Sequence, residues 1–173
     1  MNNALQQQNT RHGLYTAEER RRRDASPWTL VQGILAPLQF LVFLVSLVLV
    51  VNYLNNGTGL GAATVSVVAK TLVLYAIMIT GALWEKEVFG QYLFARPFYW
   101  EDMVSMLVIA LHTAYLACWL FDLLPVRGQM WLALAAYAAY LVNAAQFLIK
   151  FQSARESSPA PAAAASGWLG AAE

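Results

Sequence analysis

The chain has 173 residues, of which 59% are hydrophobic, 13% aromatic and 12% charged, with a formal net charge of +1. That is about half the charge of an average soluble domain, and a net charge near zero argues neither for nucleic acid nor for an anionic partner, so the distribution of charge is what matters. It leaves little room for a soluble domain, because four runs with close to the ~20 apolar residues that a helix needs to cross a bilayer occupy most of the length.

Residues 1–14 are rich in Gln and Asn and are expected to be disordered. Thr16-Ala-Glu-Glu19 then fits a capping box, which predicts a short basic helix through Arg23 lying on the membrane surface. Arg20 to Arg23 either contact anionic lipid or act as the topology signal, and without interleaved aromatics they form no nucleic-acid platform. Residues 1–27 are polar and the apolar run after them is too long for a signal-peptide core, so that run is expected to stay as an anchor.

The four runs are Trp28 to Leu54, Ala62 to Trp84, Met103 to Leu124 and Met130 to Lys150. Backbone groups in lipid must find partners within their own segment, and barrel-type alternation is absent, so each run predicts a helix. The expected fold is all-α, an integral membrane bundle of four transmembrane helices over residues 28–151. It sits between an N-terminal arm, 1–27, and an Ala/Pro-rich tail, 152–173, expected to be disordered. Short turns carrying Gly57, Gly59 and Gly61, and Pro125 and Gly128, make consecutive spans antiparallel neighbours.

Charge orients the bundle. Arg11, Arg20 to Arg23, Lys86, Arg96, Lys150 and Arg155 fall on one side and Arg127 on the other. The positive-inside rule places both termini and the Trp84 to Asp102 connection in the cytoplasm, with Asn55 to Gly61 and Asp122 to Gln129 outside. Cys118 is alone, so no intrachain disulfide forms, and in an apolar run it reads as a small buried hydrophobe.

The connection Trp84 to Asp102, WEKEVFGQYLFARPFYWED, concentrates Glu85, Glu87, Glu101 and Asp102 among Trp84, Phe89, Tyr92, Phe94, Phe98, Tyr99 and Trp100. These are either interfacial charges paired with Lys86 and Arg96 beside a membrane-belt set of aromatics, or the mouth of a site for a flat aromatic ligand. Polar residues then enter the spans beneath it, each at a free-energy cost that asks for a partner or a function. By helical rise His112 lies ~14 Å below the end of the third span, Gln39 at a similar depth in the first, and Asn143 and Gln146 at ~10 and ~6 Å in the fourth. Glu101, Ser105, Val108, His112 and Tyr115 share one face of the third helix, Tyr140, Asn143, Gln146 and Lys150 one face of the fourth, and Gln32, Gln39 and Ser46 a stripe on the first. The three stripes converge on the bundle interior, where they either glue helices together or line a site. Lys70 is expected to snorkel outward or to pair within the bundle.

Several chemistries are excluded. His12 and His112 are the only histidines and His12 lies in the arm, so haem held by two histidines of this chain is ruled out. No Cys/His cluster for zinc, Gly-rich phosphate loop or outstanding Ser/His/Asp set is present. No internal repeat of a transporter kind is seen, and the interiors of the spans lack the carboxylate that a small proton-coupled exporter needs.

The segments RRRRDASPWTLVQGILAPLQFLVFLVSLVLV, LYAIMITGALWEKEVFGQYLFA, FYWEDMVSMLVIALHTAYLA and QMWLALAAYAAYLVNAAQFLIK resemble the vinyl bacteriochlorophyllide hydratase family of photosynthetic bacteria, over roughly Tyr15 to Arg155. The resemblance implies a multi-pass enzyme of the bacterial inner (intracytoplasmic) membrane. It implies a hydro-lyase of bacteriochlorophyll synthesis that adds water across the C3 vinyl group of a magnesium chlorin to give a 3-(1-hydroxyethyl) group. It also implies no cofactor of the protein's own, the magnesium being carried by the substrate. Membrane lipid and other bacteriochlorophyll-synthesis enzymes are the further partners it suggests, and nucleic acid is not among them. A non-enzymatic tetrapyrrole-binding or assembly protein would use the same aromatic mouth.

Such a hydration needs an acid to protonate the terminal CH2, a base to take a proton from water, and walls that exclude solvent. Position and chemistry nominate Glu101, Asp102 and Glu85 as the acid/base set, with His112 as base or as an orienting group for the magnesium. Trp84, Tyr92, Phe98 and Trp100 are nominated to pack the ring, and Glu87, Gln91, Asn143 and Gln146 to contact substrate or water.

Overall fold

The computed structural model describes residues 14–156, with side chains described through Gln152. The expected disorder of residues 1–13 and of most of the Ala/Pro-rich tail lies outside the described residues, as does His12. Five helices and no strand occur among the described residues: α1 Ala17–Ala25, α2 Pro27–Asn56, α3 Leu60–Phe89, α4 Tyr99–Leu120 and α5 Val126–Glu156. The last four each cover all or most of one of the apolar runs and are long and apolar enough to span a membrane.

Local chemistry sets their ends. Thr16 caps α1 in a reciprocal box: its hydroxyl accepts from the Glu19 amide and the Glu19 carboxylate accepts from its own amide, as the Thr-x-x-Glu spacing predicts. Pro27 opens α2, where its missing N–H costs nothing. Gly57, at φ 71°, and Gly90, at φ 85°, close α2 and α3 in the left-handed region that a side chain disfavours.

Helices outrun the apolar runs at seven of their eight ends and fall short at one. α3 continues five residues past Trp84 to Phe89, and α4 begins at Tyr99, so Glu85, Glu87, Glu101 and Asp102 are helical and only Gly90 to Phe98 remain as connection. Apolarity marks where lipid lies; the helix stops where Gly90 permits the turn. At the far end α4 stops at Leu120 rather than Leu124, because Asp122 adopts φ 50° and the residue before Pro125 is turned out of the helical region, while α5 starts at Val126.

The bundle is two hairpins, α2 with α3 and α4 with α5, each packed along its length and joined across a thinner seam. At the seam Phe43, Val67, Leu74, Val108, Tyr115 and Tyr137 form the apolar core. Ser46 on α2 meets both Ser66 on α3, at 2.7 Å, and the Tyr137 hydroxyl on α5. Tyr75 on α3 bonds Thr113 on α4 at 2.7 Å. α1 folds against α3, so both described ends of the chain lie at the end of the bundle that carries the Gly90–Phe98 connection.

Candidate functional site

The acids are brought together by the α3–α4 connection. Glu85 lies in the last turns of α3 and Asp102 in the first turn of α4, both buried, and their carboxyl groups are hydrogen-bonded to one another. Ionised carboxylates only accept, so this bond needs one proton between the two acids. The remaining oxygens hold the connection down: Glu85 Oε2 accepts from the Ala95 amide at 3.2 Å, and Asp102 Oδ2 from the Phe94 amide at 2.7 Å. Phe94 is held at φ 60°, a conformation that costs a non-glycine residue on the order of 1–3 kcal/mol and tends to occur at functional positions.

Glu101, next to Asp102, is engaged differently. It forms an ion pair with Lys150 of α5 at 2.6 Å, and the Lys150 ammonium also lies 5.2 Å from the centre of the Phe98 ring. Asn143, two turns before Lys150 on the same face, donates to the Glu101 carbonyl at 2.9 Å and to Ser105 at 3.0 Å. Hence the expected pairing of these acids with Lys86 and Arg96 does not occur. Lys86 turns to the Gly90 carbonyl at 3.1 Å and to the Tyr92 ring, and Arg96 is exposed on the connection. The cation that matters comes from a helix 49 residues away in sequence.

Beneath the connection Trp84, Phe89, Phe98, Phe147 and Phe151 pack ring against ring, with Phe98 only 1% exposed at their centre. Trp84 also donates from its indole to Thr29 of α2 at 3.0 Å. Trp84 and Phe98 are therefore walls whose faces are largely taken, whereas Tyr92, at 57% exposed, and Trp100, at 71%, face outward, where a ring can meet them from outside. Glu87 accepts from Ser26 at the head of α2 and Gln91 donates to the Leu93 carbonyl within the connection, so neither touches the acid pair.

Tyr15, given no role by the sequence, is buried in this cluster, stacked on Phe89 at 5.8 Å with its ring under Arg23. Burial pushes its phenol up to about 12, so the hydroxyl stays neutral. Its place beside the Thr16 cap, with a chain turned back by α1, is the one signal that would have found it.

His112 and Lys70 lie elsewhere. His112 does share the buried face of α4 with Glu101 and Ser105, but it is 11 residues further on, about 16 Å along the axis. Shared face is not shared depth, and His112 is no partner for these acids. Lys70 neither snorkels nor finds a carboxylate: it is fully buried, its ammonium 3.8 Å from the centre of the Tyr140 ring and without a hydrogen-bond partner. Gln146 keeps a buried, unbonded Oε1. No group of three or more His, Cys, Asp or Glu among the described residues is arranged to hold a metal ion.

Four membrane-length helices with a buried pair of neighbouring acids under a short clamped connection define a polytopic membrane protein equipped for acid–base chemistry. Residues 15–153 match the model of the 2-vinyl bacteriochlorophyllide hydratase family. The chain belongs to that family. It is 65% identical over 146 residues, 84% of this chain and 85% of the relative, to the 2-vinyl bacteriochlorophyllide hydratase of Rhodobacter capsulatus. It is 64% identical over 142 residues, 82% of this chain and 88% of the relative, to that of Cereibacter sphaeroides. No solved structure matches.

Proposed function

We propose that this chain is a hydratase of bacteriochlorophyll synthesis that adds water to the vinyl group of a 2-vinyl bacteriochlorophyllide, with Glu85 and Asp102 as its acid/base pair. The family supports the reaction, and one observation carries the assignment of residues: two buried carboxyl groups set beside one another, each holding an amide of the connection that shields them. The pair gives its proton to the terminal CH2, which becomes CH3. The cation left on the inner carbon is delocalised into the macrocycle, water bonds there through oxygen, and the proton that water sheds returns to the pair. The sum is one water added, with the pair restored.

Glu101, held by Lys150, stands beside the pair without joining the proton relay. Tyr92 and Trp100 are the outward rings on which the macrocycle stacks as it leaves the lipid, and Asn143 stiffens the head of α4 beneath it. Arg20 to Arg23, Lys86, Arg96 and Lys150 all lie at the site end, so the site and both termini face the cytoplasm of the inner membrane, the macrocycle entering from that leaflet.

Membranes carrying Glu85→Gln or Asp102→Asn, supplied with the vinyl substrate, test this through the blue shift in absorption that follows loss of the conjugated vinyl group. Each variant should lose between 10²- and 10⁴-fold in rate, the span typical of a missing acid or base. Wild-type turnover in both would remove the pair from the mechanism.

A further inference from the structure

We propose that His112 is the axial ligand to the magnesium of the macrocycle, and through it the residue that sets which edge of the ring meets the acid pair. The inference rests on the hydratase reading above. His112 Nδ1 lies 2.8 Å from the Val108 carbonyl oxygen. A carbonyl only accepts, so Nδ1 carries the proton and Nε2 is left with its lone pair. A neutral imidazole whose first nitrogen is fixed by a backbone carbonyl and whose second is bare is the form in which histidine binds a metal.

That bare nitrogen is unused. His112 is 0% exposed, and no group bonds its Nε2. A lone histidine serves no free ion, which wants several ligands, yet a chlorin brings its magnesium already held by four ring nitrogens and needs only one donor from the protein. The surroundings suit a flat guest: the Tyr137 ring lies 5.9 Å from the imidazole at 38°, and the other polar atoms at the seam without hydrogen-bond partners are both amide atoms of Gln39, the ammonium of Lys70 and the hydroxyl of Tyr115. These belong to α2, α3 and α4, so they border the thinner join between the hairpins. A ring entering edge-on asks for the smallest parting of that join.

Depth agrees with a positioning role. His112 comes ten residues after Asp102, about 15 Å along α4, too far for it to act as base at the same vinyl group. Its side chain leans back toward the start of the helix, which is the end that holds the acids. A macrocycle centred on Nε2 and standing along α4 thus turns one edge up toward Glu85 and Asp102.

The test uses full-length protein with the magnesium vinyl substrate and its magnesium-free counterpart, in wild type, His112→Ala and His112→Gln. Wild type should favour the magnesium form in kcat/KM by about tenfold or more, the scale on which metal contacts are felt. The variants should lose that preference, their kcat/KM values for the two rings becoming equal, a split that a purely structural role would not produce. Resonance Raman spectra of bound pigment should show imidazole-ligated, five-coordinate magnesium in wild type only, and added imidazole should restore it in His112→Ala. Equal use of both rings by wild type, an equal fall in both for the variants, or an unchanged coordination signature in a folded variant would each overturn the inference. Absence of hydration by wild type would sink the hydratase reading instead, and the Raman comparison would still decide this one.

Discussion

The two polar regions of this bundle are built on opposite plans. At the connection end four acids are committed: Glu85 and Asp102 to each other and to two backbone amides, Glu101 to Lys150, Glu87 to Ser26. At the seam, deeper by about ten residues of helix, Gln39, Lys70 and His112 are as well buried and bond to almost nothing. In hydrocarbon an unmade hydrogen bond is expensive, so the first region reads as a finished machine and the second as one awaiting a guest. Composition alone would rank them the other way, since charge density is greatest where the groups are already satisfied.

The largest expected break in that contrast is loss of hydration in Glu85→Gln and Asp102→Asn. The two changes combined should cost little more than either alone, because the acids act as one proton-sharing unit and their effects do not add. The magnesium preference tied to His112 sits next in size.

Lys150 and Lys70 sharpen the comparison through stability. Lys150→Met strands Glu101 and should lower the unfolding free energy in detergent by about 2 kcal/mol, less than the loss of a fully buried partner because the Lys150 side chain is 23% exposed. Lys70→Met removes a buried donor that bonds to nothing and should be neutral or stabilising by about 1 kcal/mol. Equal losses from both would erase the distinction between the regions.

The smallest effect concerns Tyr15. Its folded value is raised above the ordinary 10.0, so the stability it adds is whole below pH 10 and is lost as pH climbs toward about 12. Docking of the N-terminal segment, followed by protection of the residue 15–25 amides from exchange, should weaken across that window in wild type and not in Tyr15→Phe. Identical profiles would show that the phenol plays no part.

Much of the scaffold was legible because it follows period and composition. The four apolar runs each hold a long helix, the Thr16 box starts α1, and the stepped face Glu101, Ser105, Val108, His112 and Tyr115 is buried throughout. The site was less legible, for physical reasons. Periodicity fixes an angle around a helix and says nothing of which neighbour waits there, so Lys150 was assigned to a face without being matched to Glu101. Nor does a shared face bring Glu101 and His112 to one depth. Helix ends answer to turn chemistry, Gly90 at one and Asp122 with Pro125 at the other, and apolarity cannot see it. Tyr15 gains its meaning only from chain that folds back over the bundle.

Phe94 carries the last consequence. Its backbone is sprung, and the catch is an oxygen of Asp102, one of the two acids assigned to move the proton. A proton arriving on that oxygen weakens its hold on the Phe94 amide, and the nine residues from Gly90 to Phe98 then have reason to relax. Chemistry and opening would share one atom: the cover over the site would loosen when the pair is reloaded and tighten when it is spent.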